Sequence, residues 1–228
     1  MTEQPPTASS SLLHRTAVHE AGHAVTARLL GREVDGVTIV ANPGREYSGL
    51  TVWGPAPETP SPRPFHEHPA EVLADVDTAL LIAAAGEVAA DLACLTTGRS
   101  SSVHDRLAGT RRHLAIEWRR ATPERSSELR DVLDPPTRGG APTPPATSDL
   151  EKLWELTMAV NDADPRAARL HLDWITARTT ALLIEHAPAV EFVAAQLVHG
   201  RDLNACEAAQ VLDTALALTL PPRQGAAS

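Results

Sequence analysis

The sequence predicts a mainly α-helical fold with one small β element. Three observations carry this. Most apolar residues fall in long blocks bounded by helix-type caps and Pro-rich punctuation. Only two short runs, "VDGVTIV" and "SGLTVWG", have the β-branched composition of paired strands. A chain of 228 residues with 43% hydrophobic content is long and apolar enough for one domain with its own core.

In order, residues 1–10 read as a disordered arm, and a helix begins near Ser11 and runs to Leu30, with Gly31 as its C-terminal stop. "VDGVTIV" and "SGLTVWG" follow as strands joined by a turn through "ANPGREY". Residues 54–69 hold six prolines and read as a loop. A long apolar helix is expected from Ala70 to Leu95, broken by "TTGRSSS", and another from Ser102 towards Ala121 with Asp105 in its first turn. Residues 134–149, "DPPTRGGAPTPPATSD", read as a flexible Pro-rich insertion. Asp164–Pro165 then forms an N-cap and N1 pair, and Asn204 with Glu207 has capping-box spacing. Two or three helices are expected to close a single domain spanning residues 11–220, with 221–228 as a disordered tail.

The formal charge of −9 and the absence of a dense Lys/Arg run point away from nucleic acid and anionic membrane surfaces as partners. Lys152 is the only lysine among 20 basic residues. Cys94 and Cys206 make neither a disulfide framework nor a Cys-x-x-Cys pair, so a reducing cytoplasm is the expected location. "MTEQPPTASS" lacks the basic start and apolar core of a signal peptide. "TALLIAAAGEVAADLACL" carries Glu87 and Asp91, which marks a buried helix and not a membrane span of about 20 apolar residues.

Within "RTAVHEAGHAVTARLLG", His19, Glu20 and His23 stand in the order H-E-x-x-H. Residues four apart on a helix share one face, so both imidazoles can meet one cation. Neutral imidazole suits Zn²⁺, and a catalytic zinc takes three protein ligands with a position left open. Glu20 is then placed to take a proton from the attacking water. The motif is expected about 0.03 times by chance in a chain of this composition, so it is informative but needs a third ligand. Thr26 stands where the x-x-G-x-x-H continuation requires glycine, and Gly31, a strand and prolines fill the interval for a glutamate some twenty residues on. The third ligand is therefore expected from a later helix, with Asp105, Glu87, Asp91 and His104 as candidates.

"AVHEAGHAVTA", Ala17 to Ala27, resembles the A-x-H-E-A-G-H-A-x-x-A helix of the FtsH-type zinc peptidase family. "VTIV" followed by "GLT" is similar to that family's V-T-I-x-P-R-G and G-Y-T. "AAAGEVAADL" is similar to its L-G-G-R-A-A-E-E-L, and "SSSVHDRLAGTRRHLA" to its T-G-A-x-N-D-L-x-x-A-T-x-x-A. The C-terminal stretch resembles the helices that close the family's domain, so the likeness covers about residues 11–217. It implies an FtsH-peptidase-like helical domain, one zinc held by His19, His23 and Asp105, and Glu20 as general base. It also implies that Gly49, Leu50, Thr51 and Trp53 form a substrate-edge strand.

The chain departs from the family in three ways. No G-x-x-x-x-G-K-[ST] or membrane helix accompanies the domain, Ala90 and Asp91 replace a Glu-Glu pair, and His104 replaces an Asn. His104, Asp91 and Glu87 are candidates for orienting the ligands. The implied function is a zinc metallopeptidase acting on peptides or unfolded chains, delivered by a separate ATPase or adaptor where the substrate is folded. The alternatives are a non-catalytic peptide- or protein-binding module on the same fold, and a pathway-specific amide hydrolase. His66 and His68 read as surface residues on a Pro-bounded loop, and His113, His171, His186 and His199 are expected to carry no chemistry. Trp53, Trp118, Trp154 and Trp174 read as packing residues, with Trp53 also placed to line a subsite.

Overall fold

The computed structural model describes residues 8–41, 49–55, 59–96 and 149–219. It is mainly helical with a small three-stranded antiparallel sheet. The described elements are α1 (Ala8–Leu29), β1 (Val34–Thr38), β2 (Leu50–Trp53), α2 (Ala70–Thr96), α3 (Asp149–Val160), α4 (Pro165–Glu185), α5 (Ala187–Gly200), β3 (Asp202–Asn204) and α6 (Ala205–Ala217), with a short 3-10 turn at Phe65–Glu67.

The middle of α2 is buried on opposite sides, which explains why its sequence is apolar nearly all round. Ile82, Ala85, Val88 and Ala89 join a core with Ala17, Ala21, Ala24 and Val25 of α1, Val193 and Leu197 of α5, and Leu212 of α6. Val76, Leu80, Leu81 and Ala84 join a second core with Leu153 and Leu156 of α3 and Leu172 and Ile175 of α4. Helix α2 is thus the wall shared by both cores.

Helix α1 lies against α2 at a very short distance. A Cβ on Gly22 would stand 2.5 Å from the Ala85 carbonyl oxygen and 2.6 Å from Ala89 Cβ, so glycine is what permits the approach. Past α1, Gly31 adopts φ +77°, the left-handed stop expected of it. Arg28 pairs with Asp213 of α6, and Arg32 pairs with Asp75 of α2.

The sheet order is β2-β1-β3, so β2 is an edge strand among the described residues. The β1–β2 register pairs Val37 with Thr51 and Thr38 with Leu50, with an irregularity between Val34 and Gly36. β1 also pairs with β3, Val37 opposite Leu203. β3 was not expected: three residues following Arg201, itself in the left-handed region at φ 72°, are too few for an alternating pattern.

Both caps occur as expected. Asp164 accepts from the backbone N–H of Arg166 and Ala167, and Asn204 and Glu207 make a complete capping box. Among the described residues four helices, not two or three, run from Asp149 to Ala217. The α4–α5 break at His186 went unread: Pro188 cannot donate to the preceding turn, and the two helices meet at 79°. No single described helix is long and apolar enough to cross a membrane. Ala8–Ser10, expected in a disordered arm, are the first residues of α1, which starts ahead of Ser11; the rest of that expected arm, the expected 102–121 helix, the expected tail and all of the insertion except Asp149 lie outside the described residues. Asp149 itself is not loop but the first residue of α3.

Candidate metal centre

Helix α1 places His19 and His23 one turn apart, facing α2, with their Nε2 atoms 3.1 Å apart. The Asp149 carboxylate at the start of α3 meets them there, its Oδ2 3.1 Å from His23 Nε2 and 3.5 Å from His19 Nε2. Tetrahedral zinc with bonds of about 2.0–2.1 Å separates its ligand atoms by about 3.3–3.4 Å. The three atoms therefore form a triangle of the size of one face of that tetrahedron.

Two further features suit a cation. His23 is buried, and its Nδ1 lies 2.7 Å from the Ile82 carbonyl oxygen. A carbonyl can only accept, so Nδ1 carries the proton in the neutral ring, and the Nε2 lone pair points at the shared position. On the facing helix, a Cβ on Gly86 would stand 2.3 Å from His23 Nε2 and 2.5 Å from His19 Nε2. The missing side chain keeps open the space that an ion bridging the two nitrogens needs.

The charges are strongly coupled. Burial works to lower the pKa of His23, but the Asp149 charge and hydrogen bond, with help from Glu20, outweigh it and raise the imidazole from 6.5 to about 9. For Asp149, desolvation opposes ionisation, yet the His23 charge and hydrogen bonds from both histidines hold the carboxyl far below the usual range. Glu20 is buried, and that burial raises its pKa against the lowering effect of His23, His19 and a hydrogen bond from Thr51.

The other expected site residues divide into three groups. Glu87 Oε1 lies 3.7 Å from His19 Nδ1, within ion-pair reach though longer than a hydrogen bond, and Glu87 also faces Arg15. Asp91 sits one turn further along α2, partly buried. His104 and Asp105 lie outside the described residues. Of the edge strand, Thr51 bonds Glu20 directly. Leu50 is exposed, and Trp53 is half-buried with Lys152 Nζ 5.8 Å from its ring centroid.

Asp149 is the candidate ligand missed by reading the sequence, because it ends a Pro-rich stretch that reads as loop. The signal present was an Asp immediately preceding an apolar helical pattern. Gly86 was also passed over, although a glycine inside an apolar helix usually has a packing or functional reason.

One histidine departs from expectation. His68 is not at the surface but 6% exposed, between exposed neighbours on either side, and neither ring nitrogen has a hydrogen-bond partner among the described residues. His171 is tied to Asp77 at 2.9 Å, joining α4 to α2. Trp174 is 43% exposed and stacks with Arg178, so it is less a packing residue than Trp154.

Gly86→Ala should lose zinc binding by at least about a hundredfold, since the added methyl competes for a position about 2 Å from both nitrogens; equilibrium dialysis at unchanged helical content checks this. Zinc must also displace the His23 proton. Between about pH 6.5 and 9 the apparent affinity should rise close to tenfold per pH unit, with proton release seen calorimetrically in buffers of different ionisation enthalpy. The sign for chelator-treated protein is the reverse. The raised His23 pKa contributes stability that is full below 6.5 and lost as pH passes about 9, while Asp149's contribution is lost as pH falls below 3.8. A pH-independent zinc affinity would contradict the His23–Asp149 coupling. Compared with known proteins, the chain matches no protein-family model and no curated protein.

Proposed function

We propose that this chain is a zinc-dependent peptidase of FtsH-like type, with His19, His23 and Asp149 as metal ligands and Glu20 as general base. The observation that supports it most is the triangle of Nε2, Nε2 and Oδ2 atoms beside a buried glutamate. Either histidine pairs or acidic groups alone are common; a triangle of zinc-like dimensions on an H-E-x-x-H helix is a narrower coincidence. Asp149–Leu150 also carries the D-L pair of the family pattern first set on Asp105, which supports moving the third ligand to Asp149.

Bound zinc would supply Lewis acidity towards a carbonyl oxygen and make a water molecule more acidic. The protein's own part is proton handling and orientation. Glu20, adjacent in sequence to one ligand and held by Thr51, accepts the proton of the attacking water and returns it to the leaving amine. Its raised pKa suits both transfers. The edge strand β2 offers backbone groups to an extended peptide, which gives affinity with little sequence preference. Substrates are therefore peptides or unfolded chains, and a folded protein would need a separate ATPase or adaptor to deliver it.

Zinc-loaded protein should cleave an unfolded casein-type substrate or a peptide library, and Glu20→Gln should keep its zinc while losing about 10²–10⁴-fold in rate. If the zinc-loaded wild type leaves both substrates intact, the peptidase reading is wrong.

A further inference from the structure

We propose that Gly49 and Thr51 form a cradle that fixes the Glu20 carboxylate, so that the edge strand offered to substrate is also the strand that aims the base. This rests on the peptidase reading above. Thr51 Oγ1 lies 2.7 Å from Glu20 Oε2 and 3.1 Å from the Glu20 carbonyl oxygen. A hydroxyl has one proton to give, and the shorter contact with the charged acceptor takes most of it. The bond crosses from β2 to α1 and fixes one of the two carboxylate oxygens.

Gly49 closes the other side. A Cβ there would stand 2.6 Å from Glu20 Oε1, 2.8 Å from Glu20 Cγ and 2.9 Å from Thr16 Cγ2. Gly49 has no left-handed φ, so backbone strain does not explain the glycine. The close approach of its backbone to the carboxylate does.

Strand geometry links these two contacts to substrate. Alternation puts Leu50 and Val52 outward, both exposed, and Thr51 inward with Trp53. A peptide paired along β2 is held in a register fixed by the same backbone that carries Thr51. Its scissile bond is thereby set relative to Glu20 by a single strand, without a separate loop to align them. Thr51 touches no reacting atom; it is a positioning residue that acts through Glu20.

The test uses the full chain with Thr51→Val, Thr51→Ser and Gly49→Ala. Thr51→Val conserves shape and removes the hydroxyl. It should retain one zinc and its melting profile, lower kcat by about ten- to a hundredfold, and leave KM within about twofold. Thr51→Ser, which keeps the donor, should restore at least about a third of kcat. Gly49→Ala should keep zinc and lose kcat at least as far as Thr51→Val. Crystal structures of the zinc-loaded wild type and of Thr51→Val supply a readout independent of turnover, with the Glu20 carboxylate turned away from its wild-type orientation in the variant. Wild-type kcat in Thr51→Val, or an unmoved Glu20 carboxylate in its crystal structure, overturns the cradle. If the wild type cleaves nothing, the peptidase reading fails and the crystallographic comparison alone decides the cradle.

Discussion

The close contact between α1 and α2 is the constraint on which the site depends. Gly22 lets α1 meet Ala85 and Ala89 of α2, and Gly86, on that same stretch of α2, leaves a space in front of both histidine Nε2 atoms. Larger residues at these positions would push the helices apart or fill the space. The fit is costly locally, because glycine inside a helix gives up about 1 kcal/mol relative to alanine. The apolar core that α1 and α2 share with α5 and α6 holds the pair together despite that cost.

A second consequence is electrostatic. His23 and Glu20 are both nearly inaccessible to water, so each is sensitive to the few charges beside it. Asp149 supplies the negative charge that holds His23 protonated when no cation is bound, and a divalent ion would replace that proton at much the same place. The cluster is therefore arranged for positive charge in either state. Thr51 and the two histidines moderate Glu20 from the other direction, offsetting part of its desolvation.

Reading of the sequence succeeded where local chemistry dominates. The sharing of one helix face by His19 and His23, the Gly31 stop, the Asp164–Pro165 cap and the Asn204–Glu207 box depend on neighbours within a turn or two, and each is found as read. The strand pair was legible because β-branched runs flank a turn-rich stretch. What escaped depends on partners far away in the chain. Asp149 lies 126 residues from His23, and its local signal, an Asp ahead of an apolar helical pattern, marks a helix start without saying what that Asp will meet. Gly86 and Gly49 matter only because of what approaches them in space. β3 exists because β1 offers it an edge, and His68 is buried although its neighbours Phe65–Glu67 and Pro69 are exposed, neither of which is written in three to five residues of local pattern.

The decisive measurement is anomalous diffraction at the zinc edge from crystals of the zinc-loaded full chain. A single peak about 2.0–2.1 Å from His19 Nε2, His23 Nε2 and an Asp149 oxygen is expected. A peak bound by Asp105 in place of Asp149 would overturn the ligand assignment, and no peak between the histidines would remove the metal centre altogether.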